Sequence, residues 1–270
     1  NVALKSIAEG VPTLNEFFSF ENVSKLKKFL GNTDLIFSSN CICHIPDLDN
    51  LIKGVDLLLS KNGTFIFEEP YLGSMFNKTS YDQIYDEHIY MFSLSSIKKI
   101  FNLYDFELVN ALPQVTHGGS MRYVIKRKNN SSISNELNLL LESEKKDKID
   151  TLEACLNFKK NCENSKERII NKINKIKQEG KKICGYAATS KSTTILNYCK
   201  IDSSFIDYIC DTTPEKIGKF SPGMHIPIVN MEHFQKNQPD SIYLFGWNHK
   251  DEILDKEKNF NGEWFSHVEL

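Results

Sequence analysis

Short apolar runs that end in small or polar residues alternate with amphipathic helical segments, and this alternation occurs twice along the chain. The first series contains the run DLIFSSN (34–40), a helical segment at 47–63 with Gly63 as its predicted stop, and the run GTFIFEEP. The second series begins at Lys181. Strands that alternate with helices are typical of a parallel sheet covered by helices, so the pattern predicts an α/β fold with two Rossmann-like units.

The first series closes with a helical segment at 93–106 and two apolar runs, FELVNALPQ and GGSMRYVIKRK, which predict an antiparallel pair. The order strand, helix, strand, helix, strand, strand resembles the second half of a doubly wound sheet. The chain starts with a helix-like stretch that stops at Gly10 and has no strand before it. We therefore expect residues 1–128 to form a truncated domain.

Residues 129–180 differ in composition from both series, because they are rich in Lys, Glu and Asn and carry few apolar residues. Those few recur at helical spacing, as Ile169, Ile173 and Ile176 do. Such patterning predicts helices with solvated charged faces. We expect a helical connector here, between the first domain and a Rossmann-like domain at 181–270.

Charge and hydropathy exclude several classes of partner. With 33 basic and 35 acidic residues the formal net charge is −2, so no global field favours nucleic acid or an anionic membrane surface. No apolar run approaches the roughly 18–20 residues that span a bilayer. The seven cysteines are scattered without a CxxC pair and predict buried apolar residues, not disulfides or a metal site. We expect a cytoplasmic protein with a small-molecule or protein partner.

The stretch GYAATSKST (185–193) nearly matches a phosphate loop, but Ser190 stands where that loop needs its second glycine. The pattern still predicts a strand, a tight turn and a helix whose N-terminus, with Lys191, Ser192 and Thr193, could hold a diphosphate. An ordinary tight turn explains the same residues equally well.

Three further motifs follow predicted strands. Asp211, at the exit of the next strand, stands where dinucleotide folds place an acid on ribose hydroxyls, although a plain loop aspartate fits as well. NCICHIPD places Asn40 and His44 over the crevice of the first sheet, and its cysteines offer too few ligands for a metal site. THGGSMR contributes His117 and Arg122, and a structural turn is its simplest interpretation.

Acids, a histidine and phenols crowd together in SYDQIYDEHIYMFS (80–93), directly after the strand that ends in EEP. Its interleaved aromatic residues are too apolar for a freely solvated loop. A histidine flanked by a carboxylate and a phenol can abstract a proton next to a carbonyl and stabilise the resulting oxyanion. The segment is therefore a candidate enolising site.

Five blocks together carry a family resemblance: EEPYLGSMFNKTSYDQIYDEHIYMFS, HGGSMR, GYAATSKSTTILNYC, DTTPEKIGKFSPGMHIPI and WNHKDEI. They resemble the S-adenosylmethionine-dependent C-methyltransferases that methylate a nucleotide-linked keto-deoxysugar, in order along the whole chain. That resemblance implies a zinc module of four cysteines, a class I methyltransferase domain and a C-terminal Rossmann-like domain. This sequence lacks the zinc module and the glycine-rich turn that cradles the methyl donor, so 1–128 is expected to be a truncated class I methyltransferase domain.

The resemblance also implies residue roles. His88 is expected to be the general base that removes the proton next to the sugar ketone, with Glu87 and Tyr85 polarising the ketone or steadying the enolate. Asn40 and His44 are expected on the opposite wall, with Ser39 and Asn40 near the methyl donor. The expected contacts to the sugar nucleotide are His117, Gly118, Arg122, Lys191, Ser192, Thr193, Asp211, Asn248 and His249. No metal is expected at the reacting centre, and zinc only in the missing module.

We therefore expect methyl transfer from S-adenosylmethionine to a carbon next to the ketone of a nucleotide-linked keto-deoxysugar, by base-promoted enolisation, in a monomer or weak dimer. Two alternatives stay open. One is a non-catalytic sugar-nucleotide-binding remnant without its donor loop, and the other is a C-methyltransferase with a non-sugar carbonyl acceptor. Thermal protection by a nucleotide diphosphate, but not by a free carbonyl compound, would exclude the second.

Overall fold

A computed structural model describes residues 2–270 of the chain. The helices are α1 Val2–Ala8, α2 Phe20–Leu30, α3 Leu48–Leu58, α4 Leu72–Lys78, α5 Leu94–Asn102, α6 Asn135–Asp147, α7 Leu152–Gln178, α8 Ser190–Cys199, α9 Met231–Lys236 and α10 Lys250–Lys256. The strands are β1 Thr33–Ser39, β2 Leu59–Pro70, β3 Phe106–Gln114, β4 Ser120–Arg127, β5 Ile183–Tyr186, β6 Ile209–Cys210, β7 Ile228–Val229, β8 Ser241–Leu244 and β9 Glu263–Phe265.

These elements group into two compact units, neither of which is one continuous segment. Unit 1 comprises 1–69, 94–112 and 122–141, and unit 2 comprises 70–93, 113–121 and 142–270. The segment 70–93, which carries the cluster of tyrosines, acids and histidine, therefore belongs to the same unit as the C-terminal sheet.

Unit 1 is built on a four-stranded sheet in the order β1-β2-β4-β3. β1 and β2 are parallel, while the short connection between β3 and β4 fits only an antiparallel pair, because parallel neighbours need a long crossover. An aromatic stack fills the core beneath the sheet: Phe67 lies 4.8 Å from Tyr123 and 5.7 Å from Phe101 between ring centroids. The alternation of strands and helices predicted for this part of the chain is confirmed.

Two helix ends in unit 1 differ from the prediction. Gly63 does not stop the helix at 47–63, since α3 ends at Leu58 and β2 starts with the next residue. An uninterrupted run of leucines crosses this boundary, and periodicity cannot divide such a run between helix and strand. The helix predicted at 93–106 ends at Asn102, ahead of Asp105, whose backbone is left-handed with φ +60°.

Unit 2 contains a five-stranded sheet in the order β7-β6-β5-β8-β9, and all its pairings are parallel. The strands are fully buried on both faces at β5 and β8, which is expected for a parallel sheet covered by helices. One side of the core includes the isoleucine stripe of α7, with Ile169 and Ile173 wholly buried. The predicted Rossmann-like α/β architecture is confirmed.

The segment 129–180 is helical, but it divides into α6 and α7. Five of the seven cysteines are buried as expected, whereas Cys41 and Cys155 are exposed, because Cys155 lies on the solvent side of a charged helix and Cys41 opens a surface turn. Within residues 2–270, no helix combines the length and apolar character needed to cross a membrane.

Candidate functional site

His88 lies at the end of the turn that follows α4 and makes two short polar contacts in unit 2. Its Nε2 is 2.7 Å from the Tyr85 hydroxyl, and its Nδ1 is 2.8 Å from the main-chain oxygen of Gln83. The Tyr85 and His88 rings lie 4.0 Å apart between centroids. Tyr85 and His88 are half-buried, while Glu87 is exposed.

These two contacts assign the tautomer of His88. A carbonyl oxygen can only accept a hydrogen bond, so Nδ1 must carry the proton that it shares with Gln83. In the neutral ring Nε2 then has a lone pair, and it accepts the hydrogen bond that Tyr85 donates. A neutral imidazole held this way, with its basic nitrogen turned toward a phenol, is equipped to receive a proton.

Tyr85 also lines a pocket of about 510 Å³ in unit 2, at the carboxyl ends of the parallel strands. This is the edge at which open α/β sheets bind ligands. The lining residues are Tyr85, His117, Tyr186, Ala187, Thr189, Ser190, Lys191, Asp211, Thr212, Gly246, Asn248, His249, Glu252, Ile253 and Lys256. Six residues that the sequence predicted as ligand contacts, on five different segments, therefore meet at one cavity or its wall.

The floor of this pocket is the turn between β5 and α8. Ala187 is in the left-handed region with φ +73°, and Thr189 caps the helix by accepting from the Ser192 amide at 3.2 Å. Ser192 and Thr193 do not line the pocket. Both of their hydroxyls lie within hydrogen-bond distance of the Thr189 carbonyl, to which they can donate within the first turn of their own helix. Ligand contacts at these two residues stay a prediction.

Asp211 lies at the end of β6 and binds protein groups. Its carboxylate accepts from the amides of Ala188 at 2.7 Å and Thr213 at 2.8 Å, and Lys216 lies 3.4 Å away. Burial alone would raise the pKa of this carboxyl, but the contacts with Thr213, Ala188 and Lys216 outweigh it and hold the pKa below its ordinary value. Asp211 thus fixes the turn that forms the pocket floor, and it still borders the cavity.

The turn that carries His117 is held from two sides. Lys78 donates to the Gly118 carbonyl at 2.7 Å, and Lys191 lies 3.5 Å from the His117 carbonyl. Gly118 has φ +84°, and a Cβ on it would come within 1.9 Å of the Trp247 ring. Only glycine permits this close approach, which keeps His117 on the pocket wall.

A separate group of predicted residues lies in unit 1, at the carboxyl ends of β1 and β2. Asn40 follows β1 with φ +51°, and its side-chain nitrogen donates to Ser39 at 3.2 Å. Glu69 is fully buried at the end of β2 and accepts from the amides of Cys41 and Ile42 at 3.0 and 2.6 Å. It therefore holds the 3-10 turn Ile42–His44, which places half-buried His44 at the same sheet edge.

Two buried acceptor atoms at this edge, Asn40 Oδ1 and Glu69 Oε2, have no hydrogen-bond donor among the described residues. Buried acceptors are nearly always paired, so these two fit a ligand that brings donors or positive charge. S-adenosylmethionine carries an ammonium group, ribose hydroxyls and a sulfonium, and it meets that requirement.

Arg122 does not line the pocket of unit 2, and its predicted contact with the sugar nucleotide stays a prediction. It lies on β4 in unit 1 and forms two hydrogen bonds to one carboxylate oxygen of Glu68, at 3.1 and 2.8 Å. Its guanidinium thereby contacts a neighbouring strand of its own sheet.

Sequence reasoning assigned no role to Asp82, a wholly buried acid in the same segment as His88. Nothing near Asp82 in the sequence identifies its partners.

With the fold and these two sheet edges described, the comparisons with known proteins define first a class. Residues 7–111 match the family described as a methyltransferase domain, and residues 115–268 match the C-methyltransferase C-terminal domain. The second match covers more than half of the chain. The chain belongs to the C-methyltransferase family, which confirms the family predicted from its motifs.

Among curated proteins, the chain is similar to the C-methyltransferase NovU of Streptomyces niveus, with 29% identity over 261 residues. The match covers 96% of this chain and 62% of that relative, so the chain spans about three fifths of its length. Among solved structures, a SAM-dependent methyltransferase from Anabaena variabilis gives a TM-score of 0.34 at 18% identity, over 46% of this chain and 64% of that one. A TM-score this low supports no conclusion about the site.

Proposed function

We propose that this chain carries the acceptor-binding and proton-abstracting part of an S-adenosylmethionine-dependent C-methyltransferase. The acceptor that we propose is a nucleotide-linked keto-deoxysugar, methylated on the carbon next to its ketone. The observation that carries the proposal is the Tyr85 and His88 pair, in which the phenol forms part of a pocket wall and donates a hydrogen bond to the basic Nε2 of the imidazole.

The chemistry of the pocket supports an anionic, hydroxylated acceptor. Lys191 and Lys256 supply positive charge, and the N-terminus of α8 opens on the cavity at Thr189 and Ser190. Helix N-termini and lysines together bind phosphate groups. Asn248 and His249, which also line the cavity, offer groups that can hydrogen-bond a sugar or a base. A cavity of this size lies within the range of small-ligand sites.

The proposed proton transfer uses Tyr85 as a relay. The acceptor's C–H bond breaks, its proton moves to the Tyr85 oxygen, and the phenolic proton moves to Nε2 of His88. The electron pair of that bond delocalises into the carbonyl to form an enolate. His88 becomes an imidazolium whose Nδ1 still donates a hydrogen bond to the main-chain oxygen of Gln83. His117 on the same wall can donate to the enolate oxygen, where such stabilisation lowers the barrier most.

The methyl donor is proposed to bind at the edge of the unit 1 sheet. Ser39 and Asn40 would contact S-adenosylmethionine, with the unpaired acceptors of Asn40 and Glu69 facing its donors or charge. His44, on the turn held by Glu69, is proposed to line the same region. S-adenosylmethionine, when bound, supplies the methyl group to the enolate carbon. Glu87 as a companion of His88, and zinc in a further N-terminal module, stay predictions.

The experiment that tests the proton step needs no methyl donor. The 270-residue chain is incubated in deuterated water with nucleotide-linked keto-deoxysugars, and loss of the proton next to the ketone is followed by proton NMR. We expect exchange with the native chain, and a loss of at least about a hundredfold in His88→Gln, as is typical when a general base is removed.

Tyr85→Phe distinguishes the relay from direct attack by His88. The relay predicts that this variant loses exchange nearly as completely as His88→Gln, whereas direct attack predicts retained exchange. Asp86→Asn is the matched control, because Asp86 is an exposed acid in the same turn. If His88→Gln exchanges as fast as the native chain, His88 is not the base and the proposed function fails.

A further inference from the structure

Asp82 is a buried acid beside the candidate site. Its side chain is fully buried in the 3-10 turn Tyr81–Gln83. One carboxylate oxygen accepts from the Trp247 indole at 2.7 Å and lies 3.9 Å from the Lys191 ammonium. The other oxygen lies 3.2 Å from Nε2 of His267, itself buried near the C-terminus. Asp82 thus joins four segments that are far apart in the sequence.

A buried carboxylate requires compensating positive charge or hydrogen-bond donors, because burial without them is costly in free energy. The lysine that lies against this carboxylate is Lys191, which is 9% exposed and lines the pocket. Lys191 lies at the same time 4.8 Å from the centroid of the Trp247 ring. The acid therefore fixes both the lysine and the ring on which the lysine rests.

Asp82 is connected to the turn that carries His88 and, through Trp247 and Lys191, to the turn that carries His117. The next residue, Gln83, supplies the carbonyl that holds the tautomer of His88. Trp247, which Asp82 anchors, is the surface against which Gly118 packs, and Lys191 reaches the carbonyl of His117. A displacement of the carboxylate would consequently move both the His117 turn on the pocket wall and the turn that holds His88.

We propose that Asp82 is the positioning residue of this site, and that its carboxylate holds the Lys191 ammonium and the Trp247 indole in the geometry that receives an anionic acceptor. This inference rests on the proposed function for the identity of the ligand. The arrangement of Asp82, Lys191 and Trp247 can be tested without any ligand.

Charged groups from several elements surround Lys191 and determine its behaviour with pH. Burial lowers the pKa of its ammonium, the carboxylate of Asp82 opposes this change, and Lys78 on α4 adds to the lowering. His117 contributes its main-chain oxygen at 3.5 Å from Lys191, and the His267 imidazole contacts the same Asp82 carboxylate. On the pocket side, the titratable lining groups are Tyr85, Tyr186, Asp211, His249, Glu252 and Lys256.

Removing the charge of Asp82 should therefore shift the titration of Lys191. In Asp82→Asn the ammonium loses its nearest negative partner, so its pKa falls further below the ordinary value. Competitive labelling with acetic anhydride across pH, followed by mass spectrometry of the peptide that contains Lys191, measures this shift directly. Asp86→Asn removes an exposed acid from the same turn and should leave the labelling profile of Lys191 unchanged.

Ligand binding gives the second readout. The diphosphates of uridine, guanosine and thymidine are titrated by calorimetry into the native chain, Asp82→Asn, Lys191→Met and the double variant. We expect Asp82→Asn to weaken binding about tenfold, which corresponds to about 1.4 kcal/mol. The loss should grow as the pH rises, because Lys191 then deprotonates earlier. In the Lys191→Met background the substitution of Asp82 should have little further effect.

The two readouts separate the possible failures. If no diphosphate binds the native chain but Lys191 still titrates lower in Asp82→Asn, the proposed acceptor is wrong and the positioning role stands. An unchanged Lys191 profile in Asp82→Asn overturns the positioning role, as does an equal loss of affinity with and without Lys191.

Should Asp82→Asn fail to fold, the stability of the double variant decides. The double variant removes the lysine together with the carboxylate, so no buried charge is left without a partner, and it should fold where the single variant does not. A double variant as unfolded as Asp82→Asn contradicts the proposal.

Discussion

At Gly118 two separate constraints exclude a side chain: the backbone is left-handed, and the Trp247 ring occupies the space that a Cβ would need. In Gly118→Ala the new methyl group meets both a left-handed backbone and the Trp247 ring. We expect a loss of about 1–2 kcal/mol for the conformation and a further loss of about 1–3 kcal/mol for overpacking. Urea unfolding followed by tryptophan fluorescence measures this loss in the free energy of unfolding, because both tryptophans, Trp247 and Trp264, belong to unit 2.

Gly218→Ala is the matched control for this prediction. Gly218 has φ +79° and no heavy atom within 4 Å of an added Cβ, so it isolates the conformational cost. The difference between the two variants measures the contact with Trp247. Equal losses would show that the indole yields freely to the methyl group and does not fix the His117 turn.

At this scale the sequence predicted residues whose roles depend on near neighbours and missed those whose partners are remote. Lys191, His117 and Asn248 come shortly after strands, and all three line the pocket; their contacts with a ligand stay predictions. The sequence predicts a ligand contact at Ser192 because a hydroxyl after a lysine fits a phosphate loop, and in the structure this hydroxyl donates to the Thr189 carbonyl of its own helix. Asp82 could not be identified, since its partners Trp247 and His267 are remote in the chain.

Among the elements, helix α8 combines a stabilising cap with a position at the pocket. Thr189→Ala removes the hydroxyl that accepts from the Ser192 amide, and loss of such a cap costs about 1 kcal/mol. Because Thr189 also lines the pocket, we expect roughly threefold to tenfold weaker binding of nucleoside diphosphates, by analogy with the energy of a single hydrogen bond. Urea unfolding and calorimetric titration measure the two effects.

Thr151→Ala tests whether the change in binding follows from stability alone. Thr151 caps α7 in the same way, by accepting from the Ala154 amide at 3.3 Å, and it does not line the pocket. It should lower stability by a similar amount and leave diphosphate affinity unchanged. Weaker binding in both variants would mean that general destabilisation, and not the N-terminus of α8, affects the ligand.

The elements themselves were largely predictable, whereas their ends were not. The run at 34–40 corresponds to β1 within one residue, because a short apolar run that ends in serines has few alternatives. The boundary between α3 and β2 falls inside a continuous leucine run, where hydrophobic period carries no information. Gly63 is not a helix stop, because it lies in β2, where an added Cβ would come within 2.7 Å of the Leu59 side chain.

At the scale of the molecule, acid should destabilise unit 2 through Asp82 and Asp211. Burial would raise the pKa of both carboxyls, but their hydrogen bonds and neighbouring charges outweigh it and leave both pKa values lowered. A carboxyl with a lowered pKa in the folded state stabilises the fold above its unfolded value, about 3.9. That stability is lost as the pH falls through the folded value.

Thermal unfolding at pH 7, 4 and 3, followed by tryptophan fluorescence, measures this dependence. The midpoint should fall steeply below pH 4 in the native chain. Asp211→Asn should start from a lower midpoint at pH 7 and fall less on acidification, since one of the two carboxyls no longer titrates. Asp86→Asn, at an exposed position, should keep the native slope. A native slope in Asp211→Asn would rule out its contribution.

The arrangement of the chain in compact units was the least accessible feature from sequence. Composition separates 129–180 from its flanks, and the domains predicted at 1–128, 129–180 and 181–270 follow that signal. Nothing in the local pattern shows that the segments 70–93 and 113–121 group with the C-terminal sheet. Their membership depends on contacts such as those of Asp82 and Gly118, which join residues more than a hundred positions apart.

The discontinuous composition of unit 2 has a consequence for recombination between relatives. A chimera joined at a single point near residue 142 would combine the parent's Tyr85 and His88 with another protein's Lys191, Trp247 and C-terminal residues. Such a hybrid would exchange the pocket floor while keeping the original Tyr85 and His88, and Asp82 would contact side chains from the other protein. Acceptor preference should transfer intact only when 70–93 and 113–121 move with 142–270.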